Sequence, residues 1–280
     1  RQGGHATGFF DLSTPDCTPL LETLRNDTPA VLAVSTNSHQ YAYIKHVVAQ
    51  VKERFPEIKV LIGGTHPRID YTVIDDCVGA DAVCKGEGEG PLLEYVDALA
   101  GKKERVDIAN MDIRSDGQIY RNAVSYFVRD LDTLPFPDYS IFPLFRRGER
   151  LSFPIRFLFN RGCPYLCTYC CNHKLQAAFP EPGKYVRFKS PKRVAEEITW
   201  FADMYGFDHY VVDDDIFTLN KKWLLELCSL YPEKLKRKTF EVNVRVGTAD
   251  LEMFTALYAV GCRLVKIGLE SGDEQLRSEV

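Results

Sequence analysis

The sequence predicts an α/β protein in two parts: a doubly wound, Rossmann-like domain at 1–100 and a partial (β/α) TIM-like barrel at 151–280. In both parts, short β-branched runs alternate with segments of helical period, as consecutive βαβ units do. The strands of the second part have one apolar and one polar face. Between the parts, 101–150 has weaker periodicity and includes the proline-bearing run 134–138, which cannot continue a helix. We expect a hairpin and a linker there.

The elements of the first part follow one another as in a parallel sheet. Strands are predicted at 30–36, 58–62 and 81–84, and helices at 44–55 and 91–100. The helix at 44–55 is indicated by Ile44, Val47, Val48, Val51 and Phe55, which recur at helical spacing.

The second part repeats a strand and a helix four times, and the fourth helix only begins at the end of the sequence. Strands are predicted at 156–160, 209–213, 240–246 and 264–269, and helices at 191–205, 222–230 and 251–260. Ser190 can cap the first of these helices, with Pro191 at its first position. We expect a barrel that continues beyond the four units, so that this one is truncated at its C-terminus.

Two strands of the second part alternate strictly between apolar and polar residues. The apolar set is Phe240, Val242, Val244 and Val246, then Val265, Ile267 and Leu269; the polar set is Glu241, Asn243 and Arg245, then Lys266 and Glu270. Parallel strands covered by helices on both faces are usually apolar throughout. The alternation therefore favours a polar face that lines a barrel cavity, and the alternative is an edge strand that faces water.

Composition limits the class of protein. A net charge of −4 from 35 basic and 39 acidic residues gives no basic stripe of the kind that follows a phosphate backbone, so no nucleic acid is indicated. No apolar run approaches the roughly 20 residues that span a bilayer, and Arg1–Thr7 is not a signal peptide. The nine cysteines, an odd number, are more typical of reduced thiols than of disulfides. We therefore expect a cytoplasmic protein.

Three thiols follow the first strand of the second part at Cys-x3-Cys-x2-Cys spacing: Cys163, Cys167 and Cys170. Thiolates so close in sequence can converge on one soft metal centre. Three ligands to a four-iron cluster leave one iron free, which a catalytic cluster requires. The alternative is a zinc site with a fourth ligand from Cys171 or His173.

Small and polar residues end the strands of the first part, where doubly wound sheets bind their ligands. They are Ser35 and Thr36, then Gly63, Gly64, Thr65 and His66, then Gly86 and Glu87. The small residues let a flat ring and a nucleotide tail approach the backbone. Taken alone, these residues suit a flavin, a nucleotide or a cobalamin equally well.

Six motifs in the same order resemble those of the radical S-adenosylmethionine (SAM) enzymes that have an N-terminal cobalamin-binding domain, over nearly the whole chain. They are Gly63–His66, Gly86–Glu89, Leu134–Asp138, Arg161–Cys170, Asp214–Phe217 and Gly268–Gly272. The resemblance implies that the three cysteines bind a 4Fe-4S cluster whose fourth iron is chelated by SAM. Cleavage of SAM then yields a 5'-deoxyadenosyl radical that abstracts hydrogen from the substrate.

The resemblance also implies residues that contact SAM. Tyr169 matches a position near the adenine, although it could simply cover the cluster. Glu270 matches a carboxylate that contacts the methionyl amine or the ribose. Arg245 could pair with the methionyl carboxylate, or form a buried salt bridge with Glu270 instead. Asp214 is expected to face the cavity because it shares parity with Tyr210 and Val212, or else to cap the following helix.

In the first part, the resemblance selects cobalamin as the ligand of the strand-end residues, with His66 either contacting it or supporting its own loop. No Asp-x-His-x-x-Gly motif is present, and the resemblance implies that such binding commonly lacks a histidine ligand. In this family the first strand of the domain normally precedes a segment like 4–7, so we expect this sequence to lack that strand and its loop, which leaves the axial ligand open. The implied function is methyl transfer to an unactivated carbon or phosphorus centre. The alternatives are a cyclase or oxidative rearrangement enzyme and, from another class, a non-catalytic iron-sulfur or zinc module. Two partners are implied. One is a small-molecule substrate that is itself a biosynthetic intermediate, and the other is an electron donor such as flavodoxin or ferredoxin.

Overall fold

The computed structural model describes residues 3–12, 14, 16–101, 105–181 and 183–279. It divides into two compact units, Arg1–Val128 with Ala177–Pro180, and Arg129–Gln176 with Glu181–Val280. The first unit therefore extends past residue 100, where the sequence placed the end of the first domain. It does so because the hairpin expected between 101 and 150 joins the sheet of that unit.

The first unit contains five helices and five strands among its described residues. In chain order they are α1 (Thr18–Asn26), β1 (Val31–Ser35), α2 (Tyr41–Arg54), β2 (Lys59–Gly63), α3 (His66–Ile69), α4 (Val73–Asp76), β3 (Ala82–Cys84), α5 (Glu89–Ala100), β4 (Met111–Ser115) and β5 (Gln118–Arg121). The predicted strands and the two predicted helices are confirmed to within a few residues. The sequence analysis did not predict α1, α3 or α4.

The sheet of the first unit has the order β1-β2-β3-β4-β5, with β1, β2 and β3 parallel and the β4–β5 hairpin antiparallel. Val60 and Ile62 pack in one apolar cluster with residues of α1 and α2. Leu61 points to the opposite face and joins a second cluster with Tyr95 of α5. Helices thus cover both faces of the sheet, which confirms the doubly wound fold.

The second unit contains six strands and five helices among its described residues. In chain order they are β6 (Ile155–Phe157), β7 (Asn160–Arg161), α6 (Asn172–Ala177), β8 (Arg187–Phe188), α7 (Pro191–Met204), β9 (His209–Val212), α8 (Lys221–Leu230), β10 (Thr239–Val244), α9 (Leu251–Ala259), β11 (Cys262–Ile267) and α10 (Glu274–Glu279). The Ser190 cap is confirmed, since its Oγ accepts a hydrogen bond from the Arg193 amide at 3.1 Å.

Four parallel strands form the main sheet of the second unit in the order β6-β9-β10-β11, the order in which the chain makes them. Helices α7, α8 and α9 connect them and bury one face in a single core cluster. Phe240, Val242 and Val244 belong to this core, while Glu241 and Asn243 on the other face are only partly buried. The alternation thus correctly predicted a helix-covered face and a polar face, as in part of a (β/α) barrel.

The apolar face is shorter than predicted. Strand β10 ends at Val244, because the chain turns at Gly247 (φ 83°) and the Thr248 amide bonds the Arg245 carbonyl. Val246 is therefore 65% exposed instead of buried. In β11, which among the described residues pairs only with β10, Val265 packs on the core but Ile267 and Leu269 are exposed. The prediction that they lie under helices was wrong, since an edge strand packs against neighbours on one side only.

Candidate functional site

The loop with the three thiols follows β7, the short strand that comes just after the carboxyl end of β6. The sequence predicted one strand at 156–160, but the structure has β6 and then the separate short strand β7, which pairs antiparallel with β8. The chain leaves β7 at Gly162, whose φ is 87°. A Cβ atom there would lie 2.6 Å from the Tyr185 carbonyl oxygen, so only glycine fits.

The three thiols differ in exposure. Cys163 is buried, Cys167 and Cys170 are partly buried, and the neighbouring Cys171 is exposed. The Cys170 amide donates to the Cys167 carbonyl at 3.1 Å, and the Asn172 amide donates to Cys170 Sγ at 3.5 Å. Burial raises the pKa of the Cys163 thiol, and the charges of Cys167 and Cys170 raise it further. Cys163 is thus within electrostatic reach of both Cys167 and Cys170.

Arg245 lies directly after β10 and contacts this loop. Its Nη1 is 3.4 Å from Cys167 Sγ, and its guanidinium carbon is 4.1 Å from the centre of the Tyr165 ring. No ion pair joins it to Glu270, so the salt bridge considered from the sequence does not form among the described residues. Contact of Arg245 with the SAM carboxylate stays a prediction.

Tyr169 and Glu270, both predicted to contact SAM, lie beside each other. Partial desolvation and the nearby carboxylate of Glu270 raise the pKa of Tyr169 to about 12. Both side chains remain largely exposed, and Glu270 has a φ of 62°, which is uncommon for a residue other than glycine. An exposed tyrosine and carboxylate beside the thiol loop could donate to and accept from a polar ligand. Their roles toward SAM stay predictions.

The parity argument for Asp214 was wrong, whereas its contact with SAM stays a prediction. Tyr210 and Val212 point into the helix-covered core, so they mark the opposite face. Asp214 is fully buried, and its Oδ1 accepts hydrogen bonds from the amides of Phe159 and Asn160, at 2.7 Å and 3.0 Å. It does not cap the helix that follows, because the side chain of Asn220 caps α8.

The carboxylate of Asp214 therefore explains the break between β6 and β7, since it binds two amides that a longer strand would pair within the sheet. Burial raises the pKa of Asp214 to about 7, although the two amides that it accepts act in the opposite direction. Its carbonyl oxygen also accepts a hydrogen bond from Asn243 Nδ2 at 2.9 Å. Asp214 thereby holds the segment from which the thiol loop starts.

In the first unit, the ends of β1 and β2 lie side by side. The parallel register pairs Ser35 with Gly63, and the Thr36 amide donates to the Gly63 carbonyl at 2.9 Å. The His66 amide in turn donates to the Thr36 carbonyl at 3.2 Å, which draws the segment 63–66 over the end of β1. The structure thus brings together six of the eight residues predicted to contact cobalamin; Thr65 lies between Gly64 and His66 on this segment.

Gly64 is required by this arrangement. Its φ is 97°, and a Cβ atom there would lie 2.4 Å from the Thr36 carbonyl oxygen. We expect Gly64→Ala to destabilise the first unit by about 1–3 kcal/mol, the usual cost of a strained backbone conformation. The measurement is the shift of the urea unfolding transition. Gly63→Ala is the matched control, since its Cβ would meet only Cys84 Cβ at 3.9 Å; an equal shift in both variants would contradict the explanation.

His66 is buried and supports its own loop. Its ring lies 4.1 Å from that of Tyr41, its Nδ1 is 3.0 Å from Ser38 Oγ, and its Nε2 is 4.0 Å from a carboxylate oxygen of Asp70. These contacts correspond to the supporting role that the sequence left open. Contact with cobalamin stays a prediction.

Gly86 and Glu87 have internal partners at the end of β3. A Cβ at Gly86 would lie 2.5 Å from the side-chain nitrogen of Asn110, and that nitrogen donates to the Glu87 carbonyl at 2.9 Å. The Glu87 carboxylate accepts the Val128 amide at 2.8 Å. Glycine at 86 is therefore explained by close packing against Asn110, which the sequence analysis did not single out. A cofactor contact of Gly86 or Glu87 stays a prediction.

Comparison with protein families accounts for both units. A B12 binding domain model matches residues 1–96, and a Radical SAM superfamily model matches residues 157–280. The chain therefore combines a B12 binding domain with a Radical SAM domain, the pair of domains that characterises cobalamin-dependent radical SAM enzymes. Its expected cofactors, cobalamin, SAM and a 4Fe-4S cluster, are those that these two domains bind.

Individual relatives agree with this family. An uncharacterized methyltransferase from Pyrococcus horikoshii is 26% identical over 270 residues, which are 95% of this chain and 56% of that protein. The anaerobic magnesium-protoporphyrin IX monomethyl ester cyclase of Cereibacter sphaeroides is 24% identical over 280 residues, 93% of this chain and 43% of that protein. The chain thus spans about half the length of these curated relatives.

A solved structure shows the same fold. The cobalamin-dependent SAM radical enzyme OxsB, with aqua-cobalamin and SAM bound, matches with a TM-score of 0.73 at 16% identity. The match covers 94% of this chain and 38% of that one. At this identity the likeness concerns the fold, and the two-domain α/β architecture of a cobalamin-dependent radical SAM enzyme is confirmed.

The thiol loop of this radical SAM domain has the donors that a four-iron cluster needs. Among the described residues, no three His, Cys, Asp or Glu side chains converge as the ligands of one metal ion do. Thiolates that each bind a different iron need not converge in that way. Three thiols in one loop, with a guanidinium at one sulfur, fit a cluster of soft, thiolate-bound irons.

Two sets of ion pairs on the polar face of this domain were not predicted from the sequence. Arg156 of β6 binds Asp213 through two hydrogen bonds of 2.6 Å. Glu241 of β10 accepts a hydrogen bond from Lys266 of β11 at 3.1 Å and lies 4.0 Å from His209. Alternation had placed Glu241 and Lys266 on this face. Their pairing could not be predicted, because it depends on the register between strands, which is irregular between Phe240 and Glu241.

Proposed function

We propose that this protein is a cobalamin-dependent radical SAM methyltransferase that acts on an unactivated carbon or phosphorus centre of a small biosynthetic intermediate. The observation that carries the proposal is the Cys163–Cys170 loop beyond the carboxyl end of β6, in a chain that also has a B12 binding domain. A relative described as a methyltransferase supports methyl transfer as the reaction.

In this proposal, the cluster supplies the electron that cleaves SAM, and cobalamin carries the methyl group. Cys163, Cys167 and Cys170 each hold one iron, which leaves the fourth iron free for SAM. Tyr169 and Glu270, which lie near each other beside the loop, contact SAM through their polar atoms. Asp214 positions the loop through the amides of Phe159 and Asn160.

The cobalamin contacts are proposed at the strand ends of the first unit. Ser35, Thr36 and the segment Gly63–His66 lie together there, and the absence of side chains at Gly63 and Gly64 leaves the backbone accessible to a flat ring. The segment Gly86–Glu87 is proposed to contribute backbone atoms, because the Glu87 carboxylate already binds the Val128 amide.

The test of methyl transfer uses SAM with an isotopically labelled methyl group. Protein reconstituted with iron and sulfide, reduced and supplied with cobalamin, is expected to move the label from SAM to cobalamin, as measured by mass spectrometry. The variants Gly64→Ala and Gly63→Ala report whether the strand-end loop is required. A protein that cleaves SAM but never transfers the label would contradict the methyltransferase proposal.

That last outcome would favour a second candidate function, a cyclase or oxidative rearrangement enzyme. The observation in its favour is the similarity to a protein described as a cyclase, which extends over 93% of this chain. The two functions differ in the mass of the product, since only methylation adds the mass of a methylene group.

We further propose a cytoplasmic setting and an electron donor of the flavodoxin or ferredoxin type. All nine cysteines are free thiols, which is typical of a reducing compartment. None of the helices in the described part of the chain has the length and apolar character needed to cross a membrane. The electron donor is required because each reductive cleavage of SAM consumes one electron.

A further inference from the structure

We infer that Arg245 tunes the cluster: through the Cys167 sulfur, it raises the reduction potential at which the cluster accepts an electron. The inference rests on the proposed function, since it requires a cluster on the three cysteines. It assigns Arg245 a positioning role that the sequence did not predict, because the resemblance pointed to contact with the SAM carboxylate.

The geometry supports a specific bond between the guanidinium and the sulfur. Arg245 Nη1 lies 3.4 Å from Cys167 Sγ, within hydrogen-bond distance of sulfur. The guanidinium also stacks on Tyr165, at 4.1 Å from the ring centre. Since Tyr165 and Cys167 belong to the same loop, the ring holds the plane of the guanidinium while one N–H points at the sulfur.

The charge of Arg245 is not neutralised by a carboxylate among the described residues. Within the part of the chain that the structure describes, Arg245 forms no ion pair with a carboxylate, whereas other cations near this face do: Arg156 binds Asp213 and Lys266 binds Glu241. Arg245 is also partly buried, so water screens its charge less than that of an exposed side chain. Its positive charge therefore acts mainly on Tyr165 and on the sulfur of Cys167.

The consequence for an iron-sulfur cluster follows from electrostatics. Reduction adds one negative charge to the cluster, and a cationic donor at a ligating sulfur stabilises the more negative state. Hydrogen bonds to sulfur and local charge are known determinants of cluster potentials. Without Arg245, the cluster should be harder to reduce, which would slow the cleavage of SAM even with all three ligands in place.

The test compares Arg245→Met and Arg245→Lys with the parent chain after anaerobic reconstitution with iron and sulfide. The midpoint potential is measured by redox titration of the paramagnetic signal of the reduced cluster, without SAM or cobalamin. We expect the lowest potential in Arg245→Met, which lacks both charge and donor. Arg245→Lys, which keeps the charge but lacks the planar fork, is expected to lie between it and the parent.

A matched control is Arg263→Met. Arg263 also stacks on a tyrosine, Tyr258, at 4.2 Å, but it donates to the carbonyl oxygens of Tyr258 and Cys262 and not to a sulfur. The same loss of charge there should leave the potential unchanged. An equal shift in Arg263→Met would show a general charge effect and overturn the inference.

Three other outcomes of this experiment would also count against the inference. If Arg245→Met loads iron fully and keeps the parent potential but binds SAM less tightly, Arg245 is a SAM ligand and the inference is wrong. If Arg245→Met does not load iron, the test rests on Arg245→Lys. A midpoint potential of Arg245→Lys equal to that of the parent would then overturn the inference. If the parent itself forms no cluster, the proposed function fails and the inference fails with it.

Discussion

Replacing any one of Cys163, Cys167 and Cys170 by Ala is expected to abolish the 4Fe-4S cluster, whereas Cys171→Ala leaves it intact. A cluster that already leaves one iron without a protein ligand has no spare cysteine in its coordination. Loss of one thiolate should therefore remove nearly all cluster-bound iron. The measurement is the iron and sulfide content, with the visible absorbance, after anaerobic reconstitution.

Cys171 is a demanding control because it is the nearest other thiol. It directly follows Cys170 and is exposed, so its removal disturbs little of the protein core. Two results would contradict the assignment of the ligands: normal iron content in one of the three variants, or loss of iron in Cys171→Ala. Stoichiometric zinc without a chromophore in the parent would favour a zinc site instead.

Asp214→Ala is expected to lower the stability of the second unit by roughly 2–4 kcal/mol. The substitution leaves the buried amides of Phe159 and Asn160 without their acceptor, and a buried, unsatisfied donor costs about 1–3 kcal/mol. The measurement is the shift of the urea unfolding transition. Asp213→Ala is the matched control, since Asp213 is only partly buried and pairs with the exposed Arg156, and a surface ion pair of this kind is worth less than about 1 kcal/mol.

The stability of the protein should also depend on pH through Asp214. Burial raises the pKa of Asp214 from 3.8 to about 7 in the folded state. The folded state therefore binds this proton more tightly than the unfolded state, and the stability contributed by the protonated form is lost as pH rises from about 4 to about 7. Asp214→Asn, which stays neutral and keeps an oxygen acceptor, should lack that part of the fall. An identical pH dependence in both proteins would contradict this role.

Local pattern predicted most of the fold. The helical spacing of Ile44, Val47, Val48 and Val51 correctly predicted α2, and the alternation in 240–244 predicted both the helix-covered face and the polar face of the second sheet. The alternation of side chains along β9 wrongly predicted the direction of Asp214, because Asp214 lies beyond the end of that strand. There the carboxylate is oriented by two backbone amides that are more than 50 residues away in sequence.

The contacts of the candidate site were less predictable than its position in the fold. The three cysteines and the strand ends follow from spacing and topology, which are local. The contacts of Arg245 with Cys167 and of Glu87 with Val128 depend on how distant segments pack, and no motif encodes them. Glycines were the most ambiguous signal, since Gly64 and Gly86 are both explained by protein contacts that leave their role toward cobalamin open.

The measurement that tests the central claim most directly is the formation of 5'-deoxyadenosine from SAM by the reconstituted, chemically reduced protein, followed by liquid chromatography. The account predicts that the parent and Cys171→Ala form it, and that Cys163→Ala, Cys167→Ala and Cys170→Ala do not. A parent protein that is fully loaded with iron and reduced, yet forms no 5'-deoxyadenosine, would contradict the assignment of this loop as a catalytic cluster site.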